Sequence, residues 1–126
     1  MLYNTNWNVP TNSVRETLLR AANLLEERGH VKYTLKDPNG SMCALGAILE
    51  AEGYKWNHDW EAEDSLTRPA ATAICKALGL ESKGRWGPQS VVAEWNNDPA
   101  ISPSDVMKGM RQAADYVLTK EKVDVV

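Results

Sequence analysis

The sequence lacks the residue patterns that would assign it directly to a functional class. Its two cysteines, Cys43 and Cys75, are too few for a disulfide framework, which favours a reduced compartment. It has no CxxC, HExxH or Cys/His cluster, so we expect neither a metal site nor a cofactor. Phenylalanine is absent, and the aromatic residues are five tryptophans and four tyrosines. These side chains join a large apolar ring to a polar group and therefore suit cores and interfaces alike.

Concentrated positive charge and long apolar runs are also missing. The net charge is −3 and basic residues are scattered singly among acids, which disfavours binding to nucleic-acid phosphates. No apolar run approaches the roughly 20 residues of a membrane span, and the first residues do not have the form of a signal peptide. The sequence therefore predicts a cytoplasmic protein that contacts neither a membrane nor nucleic acid.

Five stretches carry helical signals, which predict one domain over residues 1–126. Residues 1–12 are expected to form an N-terminal arm and residues 119–126 a frayed tail. The first predicted helix spans roughly 13–28, between a Ser13/Glu16 capping box and Gly29, and the second runs from a Ser41 N-cap to about Glu52. The third has Pro69 in its first turn and reaches Leu78 before Gly79. A short fourth helix carries Val91, Val92 and Trp95, and the last helix starts with Ser102, Pro103 and Asp105. The alanine-rich third helix could pack within the monomer or across a dimer.

The segment between the first two helices changes its period. Val31, Tyr33 and Leu35 alternate with polar residues, which is typical of a half-buried strand. The following run 37–40, Asp-Pro-Asn-Gly, carries the residues of a type I turn. The predicted fold class is therefore α+β, mostly α-helical, with four to five helices and a small β-hairpin or strand between helices one and two.

Four segments together resemble a known family. They read LLRAANLLEERGH, DPNGSMCALGAI, VVAEWNNDP and SPSDVMKGMRQAAD, within roughly residues 13–118. The chain resembles small uncharacterised proteins of actinobacteria and their bacteriophages that share a domain of unknown function. Their Trp-Asn-Asp segment differs here, because Asn97 stands between Asn96 and Asp98. The resemblance implies a phage or actinobacterial origin and a cytoplasmic location, and it brings no catalytic residue.

Cys43 is the first candidate for chemistry. It lies at the start of the second helix, where free N–H groups and the helix dipole lower a thiol pKa. A nucleophile also needs a base, and His30 begins the strand beside it. The resemblance weakens this pair, since the family does not keep a histidine at the position of His30. The alternative is that Cys43 is a small apolar core residue, which we favour.

Tryptophans near loops are the second set of candidates. Arg85 and Trp86 stand between two glycines and could stack on a nucleotide or a protein partner. Trp56, Trp60 and Trp95 complete the predicted ligand- or partner-binding set. The alternative is that these rings cover helix ends. His58 lies among carboxylates and could help hold a cation, although the irregular spacing favours a solvated acidic loop.

The sequence lacks a convincing set of catalytic residues, which favours a non-enzymatic binding protein. We predict a phage accessory factor that binds a host protein or a small ligand such as a nucleotide. One alternative is a hydrolase or transferase that uses Cys43, and another is a DNA-binding regulator. The segment 95–99, Trp-Asn-Asn-Asp-Pro, is expected to close a helix, because Asn and Asp side chains bond local backbone groups.

Overall fold

The chain folds into five α-helices within the part that the structure, a computed structural model, describes: residues 10–53, 65–81 and 87–125. The helices are α1 (Pro10–Arg28), α2 (Ala44–Glu52), α3 (Thr67–Leu78), α4 (Pro88–Asn97) and α5 (Pro103–Val125). None of the helices in these ranges has the length and apolar character needed to cross a membrane.

The two long helices extend beyond their predicted limits. α1 begins at Pro10 rather than at Ser13, because the fixed φ of proline suits the first helical position. The Ser13/Glu16 pair therefore lies inside the helix and is not its cap. The α5 backbone stays helical through residues 119–125, which we expected to fray, since these residues include no glycine or proline that would interrupt it.

The predicted β-hairpin or strand between the first two helices does not form. Residues 29–43, which we call the α1–α2 connection, contain only isolated bridges from Met42 to His30 and to Lys36. Tyr33 has a φ of 71°, a left-handed conformation that interrupts an extended strand. The α+β assignment is therefore wrong for the described residues, whereas the predicted mostly helical character is confirmed.

The chain reverses direction within this connection at the turn predicted for residues 37–40. Gly40 N–H donates to the Asp37 carbonyl at 3.0 Å, which closes the four-residue turn. Asp37 Oδ1 also accepts the N–H groups of Asn39 at 3.0 Å and of Ser41 at 2.9 Å. Gly40 has a φ of 92°, which glycine adopts without steric cost. The Asp37 side chain therefore fixes the direction in which the chain returns to α2.

Ser41 does not cap α2 as predicted. Its hydroxyl donates to the Arg28 carbonyl at 3.1 Å and so satisfies a free acceptor at the end of α1. Backbone bonds of Met42 to Gly29 and Val31 keep the next residues extended. The N-cap is Cys43, whose Sγ accepts the Gly46 N–H at 3.4 Å.

α2 forms the centre of the core, because every residue from 44 to 49 is buried. It packs against α1, α3 and α4, while α5 packs against α1 and α3. The small-residue face of α3 is buried within the monomer, which decides between the two predicted packing modes for that face. The inward residues of the other helices include Val14, Leu18, Ala21, Ala22 and Leu25 on α1, Ala70, Ala73 and Ile74 on α3, Val92 on α4, and Val106, Met110, Ala113 and Ala114 on α5.

Two further helix ends agree with the sequence signals. α3 ends at Leu78, and Gly79 follows with a φ of 69°. The predicted start of α5 is confirmed by two reciprocal bonds of 3.0 Å between Ser102 and Asp105, which form a capping box. Hydrogen bonding of the carboxyl by the backbone and then the side chain of Ser102 lowers the pKa of Asp105.

One helix end is capped from a distance. The Glu52 carboxylate, at the end of α2, accepts the Leu66 N–H and the Thr67 hydroxyl, both at 2.7 Å. A carboxylate at the start of α3 also interacts favourably with that helix's dipole. Glu52 thereby joins the end of α2 to the start of α3.

Candidate functional site

Asn96, in the last turn of α4, joins three parts of the chain. Its side chain is 1% exposed, and its Oδ1 accepts the Ala44 N–H at 2.9 Å and the His30 Nε2–H at 2.7 Å. Its Nδ2 donates to the Val31 carbonyl at 3.3 Å and to Asn97 Oδ1 at 3.1 Å. Because the Ala44 amide can only donate, it fixes the orientation of the Asn96 amide and places a proton on His30 Nε2. Asn96 thus supplies a free N–H of α2 with an acceptor from another helix.

Asn97 and the residues after it hold the next part of the connection. Asn97 Oδ1 accepts the Tyr33 N–H at 2.8 Å, and the Asn97 carbonyl accepts the Tyr33 hydroxyl at 3.3 Å. Lys32 Nζ donates to the carbonyls of Asp98 and Ile101. We call this set of bonds, between residues 30–33 and residues 96–101, the clasp.

The predicted local role of the Trp-Asn-Asn-Asp-Pro segment is therefore only part of what the structure shows. Asp98 does close the turn, since its Oδ1 accepts the Ala100 N–H at 2.8 Å. Asn96 and Asn97 instead bond residues that lie more than fifty positions earlier in the chain. The two amides act in tertiary structure, whereas the carboxylate acts locally.

The clasp holds Tyr33 in an unusual state. The side chain is 77% exposed, and no other large hydrophobic side chain in the described ranges is exposed. A left-handed backbone costs a residue with a Cβ about 1–2 kcal/mol. Tyr33 therefore carries backbone strain and buries little apolar surface in return. Strain of this kind persists only where surrounding contacts enforce it, and it concentrates at functional positions.

Exposed residues, most of them polar, follow Tyr33 in the sequence and follow its clasp partner Asn97. Thr34, Lys36, Pro38 and Asn39 of the connection are exposed, as are residues 98–100 of the clasp. An aromatic side chain within a polar surround has the composition of a small protein-binding site. Tyr33 was not among the predicted site residues, because the alternating pattern placed it within a strand.

Asn96 bonds His30 and the N–H of Ala44, the residue after Cys43, but His30 and Cys43 are not joined to each other. In the described part of the chain no hydrogen bond links the His30 imidazole to the Cys43 thiol. Cys43 is 7% exposed, and this burial raises the pKa of its thiol, while backbone N–H groups of Gly46 and Leu45 act in the opposite direction. The elevated pKa opposes formation of the thiolate that a cysteine nucleophile requires.

Of the predicted ligand- or partner-binding set, Trp95 is the member that lies within the described residues. Trp95 is half-buried, and a Cβ added at Gly109 of α5 would lie 2.9 Å from its ring. The ring therefore packs closely against α5. Trp56 and Trp60, with His58, fall in the range 54–64, and Arg85 and Trp86 fall in 82–86, which are outside the described residues.

A shallow groove of about 330 Å³ lies between α1 and α2. Leu24 and Ala51 contribute apolar surface, and Arg20 and Arg28 contribute charge. Arg20 donates to the Ala51 carbonyl at 3.2 Å, and Arg28 lies 3.6 Å from the Glu50 carboxylate. Both guanidinium groups are thus engaged by the protein itself, which makes the groove a poor site for a phosphate.

One feature of the sequence indicates that Asn96 is buried and has partners elsewhere in the fold. Asn96 follows Val92 by four positions and so falls on the same buried face of α4. A buried amide needs several hydrogen-bond partners, and a helix interior offers none locally. No local pattern identifies those partners, because they lie across the fold.

These features define a small five-helix protein, over its described residues, in which the α1–α2 connection is clasped to the end of α4 and presents a tyrosine. The chain belongs to the Family of unknown function (DUF6197), which matches residues 9–116. The match spans both halves of the clasp. No curated protein and no solved structure matches the chain.

Proposed function

We propose that this protein is a non-enzymatic binding protein that recognises another protein through the surface around Tyr33. One observation carries the proposal: Tyr33 is 77% exposed, has a φ of 71° and is bonded at both its N–H and its hydroxyl. The clasp holds the ring in one position, so a partner would meet an aromatic side chain that is already ordered. Such preorganisation reduces the entropy lost on binding.

Folding alone does not account for a tyrosine at this position. Glycine or asparagine adopts a left-handed backbone with less strain, and neither exposes an apolar ring. Tyrosine is enriched among the residues that dominate binding energy at interfaces. The strain at residue 33 is therefore explained if the ring has a partner.

A protein partner is better supported than a small ligand such as a nucleotide. The guanidinium groups that line the α1–α2 groove already bond the Ala51 carbonyl and the Glu50 carboxylate. A phosphate group would have to displace these contacts. The surface around Tyr33 needs no such rearrangement.

The biological setting follows from the resemblance to small proteins of actinobacteria and their phages. We propose on that basis that the protein is a phage accessory factor and that its partner is a host protein in the cytoplasm. DNA binding has less support, since the net charge is −3.

Site-specific photo-crosslinking tests the proposal directly. A photoreactive phenylalanine analogue placed at position 33 should give one or a few discrete adducts in cells that produce the protein. The same analogue at Asp115, an exposed position on α5, is the matched control. Discrete adducts at position 33 that are absent at 115 support the proposal. Equal labelling at both positions, or none at 33, contradicts it.

A cysteine-dependent hydrolase or transferase is the second candidate, because Asn96 bonds both His30 and the Ala44 N–H directly after Cys43, and side chains of these three types recur in cysteine hydrolases. Iodoacetamide separates the two functions. We expect Cys43 to react slowly at neutral pH in the folded protein and quickly once urea unfolds it, because burial protects the thiol and raises its pKa. Rapid alkylation of folded Cys43 would favour the enzyme.

A further inference from the structure

The turn in the α1–α2 connection presents an asparagine followed by glycine. The Asn39 side chain is exposed, and within the described residues it has no hydrogen-bond partner. Gly40 has no side chain to shield its backbone nitrogen, and a Cβ added there would have no neighbour within 4 Å. The side-chain amide of Asn39 is thus open to solvent, and no side chain at residue 40 obstructs its approach to the next peptide nitrogen.

We propose that Asn39 is a site of spontaneous intramolecular deamidation and that its isoaspartate product loosens the α1–α2 connection. This modification is independent of the proposed binding function, because it depends only on the turn. It needs no oxidant, reductant or cofactor, only water.

The reaction balances in two steps. The Gly40 backbone nitrogen attacks Asn39 Cγ and gives its proton to solvent, and the side-chain nitrogen takes up a proton and leaves as ammonia. A five-membered succinimide remains, in which the new C–N bond replaces the lost amide bond. Water then adds to either ring carbonyl, and opening yields aspartate or isoaspartate.

The native turn restrains the first step. Gly40 N–H donates to the Asp37 carbonyl at 3.0 Å, and Asn39 N–H donates to Asp37 Oδ1 at 3.0 Å. The first bond holds the nucleophilic Gly40 nitrogen itself, and the second, to the Asp37 carboxylate, holds the turn closed around it, so the nitrogen reacts only when the turn opens. The Asp37 carboxylate should therefore slow the reaction of Asn39 relative to an unrestrained Asn-Gly pair.

The product would disturb contacts beyond the turn. Isoaspartate adds a carbon to the backbone path between residues 39 and 40 and places a new carboxylate close to Asp37. Asp37 Oδ1 holds the Ser41 N–H at 2.9 Å, and Ser41 in turn bonds the Arg28 carbonyl. A longer, more negative turn cannot keep this geometry, so the start of α2 loses part of its support.

Peptide mapping of aged protein tests the site. Folded protein kept at mildly alkaline pH should gain the mass change of amide replacement at Asn39, with isoaspartate identified by fragmentation. Asn23, which accepts a bond from Arg111 and precedes leucine, is the internal reference, and an unaged digest corrects for handling. The hydrogen bond from Arg111 can slow the reaction of Asn23 by roughly tenfold at most. Conversion of Asn39 at least about tenfold faster than that of Asn23 therefore supports the proposal. Equal rates overturn it.

Two variants of Asp37 test the restraint. D37N keeps an oxygen acceptor at Oδ1, whereas D37A removes it. In D37A the N–H groups of Asn39 and Ser41 lose their acceptor, which should raise the deamidation rate of Asn39 about three- to tenfold. In D37N the rate should stay close to that of the wild type. Circular dichroism confirms that both variants remain folded. An unchanged rate in D37A overturns the role of the turn.

The effect on the connection is measured on the product itself. Ion exchange separates the deamidated protein, which carries one more negative charge, from unmodified protein. Backbone amides of Ser41 and Met42 should exchange hydrogen faster in the product, and N39S aged in parallel should show no change. Identical exchange in the product and in unmodified protein overturns the structural consequence.

Discussion

At the scale of single residues, Tyr33 and Cys43 show how position changes the meaning of a side chain. An alternating pattern predicts Tyr33 as a half-buried strand residue, yet it is left-handed and exposed. Cys43 lies at a helix start, where a thiol is expected to ionise more easily, yet burial raises its pKa. In both cases the surroundings outweigh the local signal.

Replacing Tyr33 with asparagine should separate stability from binding. Asparagine tolerates the left-handed backbone, so Y33N should gain about 0.5–1 kcal/mol in the free energy of unfolding while losing the position 33 contact with the partner. Urea denaturation measures the change. T34N, at the exposed neighbouring position, should stay within about 0.5 kcal/mol of wild type. A loss above about 1 kcal/mol in Y33N would contradict the assigned strain.

The Cys43 thiol should make stability fall at high pH. The unfolded thiol loses its proton near its ordinary pKa of 9.0, whereas burial keeps the folded thiol protonated to higher pH. Its contribution is therefore complete below pH 9.0 and is lost as pH rises through the folded-state pKa. C43S keeps an N-cap acceptor and lacks this titration.

Urea midpoints of wild type and C43S, at neutral and at alkaline pH, check this expectation. As pH rises, the free energy of unfolding of the wild type should fall relative to that of C43S. Cys75 is present in both proteins, so its own raised pKa cancels. Parallel pH profiles would show that the Cys43 thiol titrates alike in the folded and unfolded states.

At the scale of elements, the α1–α2 connection is positioned by direct contact between its own backbone and the backbone of α2. A Cβ added at Gly46 would lie 2.0 Å from the Leu35 carbonyl oxygen, and that oxygen accepts the Cys43 N–H at 3.1 Å. The connection therefore lies directly on the first turn of α2, and only glycine leaves room for it. This approach explains why a glycine is found within a short buried helix.

Gly46→Ala should destabilise the protein, although the same change in an ordinary helix stabilises it by about 1 kcal/mol. The added methyl group must displace the Leu35 backbone, which we expect to cost about 2–4 kcal/mol. Urea or thermal denaturation gives the sign. Gly53→Ala is the control: its φ of 85° makes alanine strained, but no atom lies within 4 Å, so its loss should be smaller. An unchanged or more stable G46A would contradict the close approach.

At the scale of the whole molecule, Asn96 connects helices that are distant in the sequence. Its side chain makes four hydrogen bonds: to the Ala44 N–H of α2, to the His30 imidazole, to the Val31 carbonyl and to the side chain of Asn97. All of its amide capacity is used in a buried setting, where each unmet partner is costly. Asn96 therefore joins the end of α4 to both the α1–α2 connection and the start of α2.

Asn96→Ala should cost about 2–4 kcal/mol of unfolding free energy, because it leaves the buried Ala44 N–H and the part-buried Val31 carbonyl without partners. Asn97→Ala, at a half-buried position, should cost less, about 0.5–1.5 kcal/mol. Denaturation curves of both variants measure the difference, and hydrogen exchange at Ala44 should accelerate in N96A. Equal losses in the two variants would show that Asn96 is not the principal connection.

The sequence determined most of the helical architecture. The capping box of Ser102 and Asp105, the stop at Gly79 and the turn at Asp37 all formed as predicted, because each depends on residues within four positions of one another. The apolar stripes of α1, α3 and α5 were also visible, since helical periodicity is a local property.

Only the tertiary structure decided the rest. Val31 and Leu35 had the spacing of a strand, but the bonds of Tyr33 to Asn97 favour a left-handed turn over an extended chain. Ser41 was a suitable cap for α2, but its hydroxyl bonds α1, and Cys43 caps α2 instead. The clasp joins residues more than sixty positions apart, and hydrogen bonds at that separation leave no periodic or local trace in a single sequence.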